Sequence, residues 1–133
     1  MNKTIWKAML ICVLLMALIG ATVSSYAADI VPYADEVFAA ATVSLASTKK
    51  VTYKCTTYFS QDSLSVTSCW LEQKVNGEWE TVRSLTPPDT ANSNAQAYTR
   101  VVSYSIGTGT FRVGAVFNAS GYEITRYSNS RTF

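Results

Sequence analysis

Three glutamates near one turn are the residues of this chain that come closest to an acid–base pair. Glu72, Glu78 and Glu80 lie on either side of Asn76-Gly77, and glycoside hydrolysis requires two carboxylates at a defined separation. Glu78 and Glu80 flank the turn itself, however, where charged side chains usually only solvate an exposed strand. The chain has no histidine, so a Ser-His-Asp or Cys-His nucleophile is excluded. We therefore predict a protein that is not an enzyme and has no catalytic residues.

Cys55 and Cys69 are the only thiols outside the N-terminal apolar segment. A structural zinc site normally takes four Cys or His ligands, so neither a metal site nor a cofactor is predicted. Two cysteines in an exported chain are typical of a disulfide. Folding the chain about Asp62 would set Cys55 directly opposite Cys69, at a separation that a disulfide can bridge. We predict this disulfide, with a structural role favoured and a redox role left open.

Aromatic side chains give the better indication of function. Seven tyrosines and two tryptophans follow residue 27, and exposed aromatic rings contact both sugars and proteins. Trp70 alternates with a partly charged face while Cys69 and Leu71 take the other side, so we predict that it is partly exposed; the alternative is a buried core tryptophan. Trp79 is predicted to be more exposed. A tight turn at 76–77 places residue 74, and not Trp70, opposite Trp79, so the two tryptophans need not be neighbours. Trp70 and Trp79 are the candidate ligand-binding residues.

Alternation of apolar and polar residues predicts that strands position these side chains. About seven short strands at roughly ten-residue spacing are typical of an antiparallel, immunoglobulin-like β-sandwich. The segment 86–96 contains Pro87-Pro88 and is predicted to be a loop. Strands are predicted at 38–45, 51–59, 65–75, 78–85, 97–106, 110–119 and 122–127.

The first 27 residues have the three parts of a secretory signal peptide. Lys3 and Lys7 supply the positive charge, Ala8–Gly20 is uncharged and apolar, and Ser25-Tyr26-Ala27 places small residues at a cleavage site. The apolar run is shorter than the roughly 18 residues typical of a spanning helix, which is the alternative interpretation. We predict cleavage after Ala27, a secreted protein, and no association with the membrane afterwards.

Removal of that segment leaves a small, charge-balanced chain. Of the 133 residues, 106 remain, which fits a loosely ordered segment at 28–36 and one domain at 37–133. Nine basic and nine acidic residues remain, because Lys3 and Lys7 leave with the signal peptide. A balanced charge gives no long-range attraction for nucleic acid, so no nucleic-acid partner is predicted. A monomer is expected.

A hairpin and a following strand resemble a known group of proteins. The stretch W-L-E-Q-K…G-E-W-E-T-V covers residues 70–82, and G-T-G-T-F-R-V covers residues 107–113, with Tyr98–Tyr104 between them. Over residues 50–133 the chain resembles short exported β-proteins of Gram-positive, clostridia-like bacteria. Since members of that group are uncharacterised, the resemblance implies export and an all-β fold and carries over no site residues.

Together these features predict a secreted, non-enzymatic binding module that acts at or outside the cell surface. A protein and a glycan are equally consistent ligands. Two alternatives remain: a structural component of an envelope or matrix, and a secreted antagonist such as a bacteriocin or toxin.

Overall fold

The structure, a computed structural model, describes residues 34–133 and is an all-β, antiparallel arrangement of seven strands after one helical turn. This confirms the predicted fold class at that level. The predicted signal peptide, residues 1–27, and most of the segment 28–36 lie outside the described residues. Within 34–133, no helix has the length and apolar character needed to span a bilayer. The elements are α1 (Ala34–Val37), β1 (Phe38–Leu45), β2 (Lys50–Val75), β3 (Glu78–Leu85), β4 (Asn92–Ser103), β5 (Thr110–Ala119), β6 (Tyr122–Tyr127) and β7 (Arg131–Thr132).

The long strand β2 organises the sheet. Along one of its edges it pairs with β1 and then β5, and along the other with β4 and then β3; β6 and β7 pair with β5. A straight strand of its 26 residues would be about 86 Å long at about 3.3 Å per residue. A domain of about 100 residues has a radius of gyration of only about 13 Å. The strand therefore has to bend, and the single sheet curls around one core.

Register shifts accompany this bend and change which residues of β2 face the core. One shift lies between Thr56 and Gln61 in the pairing with β4, and another between Val66 and Ser68 in the pairing with β5. An extra residue in one strand kinks it and reverses the alternation beyond it. The core-facing residues of β2 accordingly change from odd to even numbers and back: Val51, Tyr53, Cys55, Thr57, then Leu64, Val66, then Cys69 and Leu71.

The predicted hairpin about Asp62 is wrong, because the chain does not reverse at this point and continues as part of β2. Gln61 pairs with Ala95 and Ser63 pairs with Ser93, so the neighbouring strand β4 holds the segment extended. The same pairing shortens the predicted loop at 86–96, since β4 begins at Asn92.

The predicted disulfide is also wrong: Cys55 and Cys69 are free, buried thiols. Both lie on β2, where Cys55 pairs with Ala41 and Tyr98 and Cys69 pairs with residues 85 and 115. Without a hairpin at Asp62, the two cysteines are not cross-strand partners. Burial raises the pKa of the Cys55 thiol to about 11. A buried thiol of high pKa forms little thiolate and is unreactive.

Both thiols are expected to react only after unfolding. At neutral pH the folded protein should resist iodoacetamide over a period in which the urea-unfolded protein is alkylated at Cys55 and Cys69. Intact-mass spectrometry checks this directly, with and without reductant. A gain of two hydrogens on reduction would contradict the free-thiol structure.

Three core tyrosines contribute polar groups to an otherwise apolar interior. Tyr53 and Tyr98 are almost fully buried, and Tyr104 packs against the same core. The Tyr104 hydroxyl donates to the Thr86 carbonyl at 2.9 Å, so the Tyr53 hydroxyl, also 2.9 Å from it, donates to Tyr104. Burial is the largest cause that raises the pKa values of Tyr53 and Tyr104. We call the hydrogen-bonded pair Tyr53 and Tyr104 the tyrosine chain.

Asn129 joins the end of β1 to the segment after β6. Its side-chain oxygen accepts a hydrogen bond from the Leu45 amide at 3.0 Å, and its side-chain nitrogen donates to the Leu45 carbonyl at 3.0 Å. Because a side-chain amide has both a donor and an acceptor, it satisfies an exposed strand edge much as another strand would. The two ends of the curled sheet are thereby held together.

Candidate functional site

A cluster of aromatic and charged side chains covers the outer side of the sheet, opposite the core. It spans four adjacent strands, in the order β3, β2, β5 and β6. Side chains of one strand alternate between the two sides of a sheet, so residues two apart on β2 and β5 meet here. We call this cluster the aromatic–arginine face, and its members are Trp70, Glu72, Lys74, Trp79, Arg112, Gly114 and Tyr127.

The pairing of the strands brings these residues side by side although they lie far apart in sequence. Each of the three inter-strand ladders contributes neighbours, and all of them fall on the same side of the sheet. The pairs are Glu72 with Arg112, Trp70 with Gly114, Lys74 with Trp79, and Gly114 with Tyr127.

Glu72 is the polar centre of the face and is only 6% exposed. One carboxylate oxygen, Oε2, accepts a hydrogen bond from Trp70 Nε1 at 2.7 Å. The other, Oε1, accepts from Arg112 Nη2 at 2.9 Å and from Arg112 Nε at 3.2 Å. A buried carboxylate needs such charged and polar partners, because its desolvation is otherwise costly. Glu72 therefore fixes the position of both side chains above it.

Arg112 lies between two aromatic rings. The carbon of its guanidinium is 4.6 Å from the centroid of the Trp79 ring and 4.3 Å from that of Tyr127. Both distances are within the range of cation–π attraction. Trp70 in turn meets Tyr127 edge to face, with centroids 6.0 Å apart. Arg112 and Tyr127 together thus link Trp79 to Trp70, which the hairpin register alone does not bring into contact.

Gly114 is required because the Trp70 indole occupies the space of its missing side chain. A Cβ at position 114 would lie 2.6 Å from Trp70 Nε1 and closer still to Cε2 of the same ring. Glycine inside a strand often marks such a close approach. The glycine therefore lets Trp70 settle against β5 and reach Glu72.

Replacement of Gly114 by alanine is expected to displace Trp70 and to lower the free energy of unfolding by about 1–3 kcal/mol, as overpacking does. Urea unfolding followed by tryptophan fluorescence measures both effects. Gly107→Ala is the matched control, because a Cβ there meets no atom within 4 Å. Equal stability and equal emission spectra for the two variants would contradict the close packing.

The predicted site residues Trp70 and Trp79 both lie half-buried on this face. The turn pairs Lys74 with Trp79 as the sequence predicts. An unbroken register would then pair Leu71 with residue 82, but a register shift between Leu71 and Glu72 pairs it with residue 83. Sequence reasoning missed the roles of Arg112, Gly114 and Tyr127. A glycine inside the otherwise β-forming segment 110–119 is the signal that could have indicated the packing.

Two other surfaces are exposed. An open groove of about 580 Å³ lies between the segment 86–90 and residues 100–104, at the end of β4. On β2, Phe59 is 74% exposed and Tyr58 is also exposed. The Phe59 carbonyl accepts hydrogen bonds from Thr57 Oγ1 at 2.7 Å and Gln61 Nε2 at 3.1 Å, which fix the bulged backbone there. Neither surface combines aromatic rings with a buried, charged partner as the aromatic–arginine face does.

Metal-binding clusters of three or more His, Cys, Asp or Glu side chains are absent from residues 34–133. Comparison of the chain with protein-family models, with curated proteins and with solved structures found no match. The aromatic–arginine face is therefore the structural basis for a proposed function.

Proposed function

We propose that this chain is an exported, non-enzymatic module that binds an extracellular protein or glycan on the aromatic–arginine face. The observation that carries the proposal is the fixed geometry of Trp79 and Tyr127 around Arg112. These side chains lie outside the core, yet each ring is held by the guanidinium, and Glu72 holds the guanidinium from below. Rings held in place before binding lose little side-chain entropy when a ligand arrives.

Export is part of the same proposal and is supported by the sequence. The basic residues, the apolar run and the small residues before Ala28 have the order of a secretory signal peptide. Placement outside the cell would bring the aromatic–arginine face to glycans and proteins of the cell surface.

We also propose that the curled sheet is an immunoglobulin-like β-sandwich. The first half of β2 with β1 and β4, and the second half with β3, β5 and β6, would form the two layers of an immunoglobulin-like sandwich. Support comes from the single core that both halves of β2 line, and from the bonds of Asn129 to Leu45.

Replacement of Trp79 by alanine is expected to weaken ligand binding at least tenfold, because it removes one ring of the face and one of the two rings that contact the Arg112 guanidinium. The Trp79→Ala variant would be probed on arrays of immobilised glycans and extracellular proteins, with the unchanged chain as reference. Trp79 is only half-buried, so unfolding curves should show that the variant still folds.

Phe59→Ala is the matched control, because it removes an exposed aromatic ring from another part of β2. It should leave binding unchanged. Binding that survives Trp79→Ala but is lost in Phe59→Ala would overturn the proposal. That result would place the ligand on the Tyr58–Phe59 surface instead.

A further inference from the structure

We infer that the ligand of the aromatic–arginine face is a carbohydrate that carries carboxylate groups, such as a uronic-acid oligosaccharide. This inference rests on the proposed function and names the ligand class for the same face. Arg112 and Lys74 would bind the carboxylate, while Trp79 and Tyr127 would contact the sugar ring.

Arg112 is a fixed donor with one nitrogen to spare. Its Nε and Nη2 both donate to Glu72 Oε1, while Nη1 makes no hydrogen bond to any residue in the described part of the chain. The side chain is 25% exposed, so solvent reaches it. The flanking rings of Trp79 and Tyr127 set the plane of the guanidinium. A guanidinium in a set orientation matches the planar geometry of a carboxylate.

The local charge also favours an anion. Lys74 is exposed, and its ammonium lies 5.9 Å from the centroid of the Trp79 ring, the same ring that Arg112 contacts. Glu72 is paired with Arg112, and Lys74 forms no ion pair among the described residues. On this side of the sheet, two positive charges and one negative charge thus surround the Trp79 indole, while Glu78 and Glu80 alternate to the other side of β3. A cationic ligand would meet a guanidinium already placed between the two rings.

The aromatic rings indicate a sugar rather than a small inorganic anion. Tyr127 is 49% exposed and Trp79 is half-buried, so both present apolar surface beside the charged groups. A sugar ring has C–H groups on one face that suit an aromatic surface, and its carboxylate would lie within the same contact area. A sulfate or phosphate ion would use only the charges and leave the rings exposed.

The test compares two oligosaccharides that differ in charge and by one methyl group at each carboxylate. A tetramer of galacturonate, or of glucuronate, is titrated into the protein by calorimetry at low salt, alongside the same tetramer with its carboxylates methyl-esterified. We expect the acid form to bind at least tenfold more tightly than the ester, and to weaken as salt is raised because the interaction is ionic.

Three variants assign the contacts. Lys74→Gln removes one exposed charge and should weaken binding of the acid severalfold while leaving binding of the ester unchanged. Arg112→Lys keeps the charge but loses the free Nη1 donor of the fixed guanidinium, and should weaken binding of the acid at least tenfold. Phe59→Ala should bind both forms like the unchanged chain. Because Arg112 also stabilises the face, the Lys74→Gln result decides the matter if Arg112→Lys fails to fold.

The outcomes separate this inference from the proposed function. Equal binding of acid and ester that is lost in Trp79→Ala would overturn the acidic-sugar inference and leave the binding function intact. Protein ligands that bind through Trp79, without binding of either tetramer, would have the same consequence. A ligand that binds independently of Trp79 would overturn both.

Discussion

Replacement of Glu72 by alanine is expected to lower the free energy of unfolding by about 2–4 kcal/mol. Removal of one partner from a buried ion pair typically costs about 3–5 kcal/mol, and the partial exposure of Arg112 reduces that figure. The alanine variant leaves the Trp70 indole N–H and the Arg112 guanidinium without their shared acceptor. Urea unfolding measures the loss, with Glu80→Ala as a control on an exposed glutamate of β3.

A double-mutant cycle distinguishes the pair from the separate side chains. If the ion pair is responsible, the variant Glu72→Ala/Arg112→Ala should be more stable than the sum of the two single losses indicates, since neither charge is then left unpaired. The free energy of unfolding of Glu72→Gln should lie between those of Glu72→Ala and the unchanged chain, because the glutamine amide oxygen can still accept a hydrogen bond from Trp70. A loss for Glu72→Ala that equals that of Glu80→Ala would contradict the central role of Glu72.

Raising the pH above about 9 is expected to destabilise the fold progressively. Burial raises the pKa of Cys55 to about 11 and is the largest cause that raises the pKa values of Tyr53 and Tyr104. In the unfolded chain these groups ionise near their ordinary values, about 8.5 for cysteine and about 10 for tyrosine. The unfolded state therefore binds fewer protons at alkaline pH, and stability falls as pH rises.

The size of this effect follows from the number of groups that titrate. The stabilising contribution of Cys55, Tyr53 and Tyr104 is fully present below their pKa values in the unfolded chain. It is lost as the pH rises through their pKa values in the folded protein. Each group lowers the free energy of unfolding by about 1.4 kcal/mol per pH unit within its window. Urea unfolding at intervals between pH 8 and pH 11.5 should give a steepening decline.

Tyr53→Phe tests the assignment to the tyrosine chain. This variant should show a shallower decline above about pH 10, because one buried hydroxyl no longer resists ionisation. Tyr58→Phe is the matched control, since Tyr58 is exposed on the same strand. A decline that is the same in both variants would contradict a role for Tyr53.

The level of detail that could be predicted differs along the chain. The hairpin at Asn76-Gly77 and the strands 78–85, 110–119 and 122–127 follow from local turn chemistry and alternation, and the structure has all of them. The error about Asp62 has a physical cause. Alternation was predicted correctly over 51–57 and 69–71 but not at Phe59 and Val66, where register shifts change the facing side. Whether a polar segment turns or stays extended is decided by the neighbouring strand, here β4.

The two cysteines show the consequence of that error. Their burial could be predicted from alternation, and both are buried. Their pairing could not, because it depended on a register that exists only if the chain reverses between them. Since β2 continues, Cys55 and Cys69 take different partners, and both remain thiols.

The sequence by itself determined an all-β chain with partly exposed tryptophans and no histidine for acid–base catalysis. These properties depend on residue types and on spacing within one strand. The tertiary structure alone decided that β2 is one bent strand, and that Arg112 lies between Trp79 and Tyr127 over Glu72. The contacts of Arg112 with Tyr127, Trp79 and Glu72 join residues 15 to 40 positions apart, and only the pairing of strands around a curved sheet brings them together.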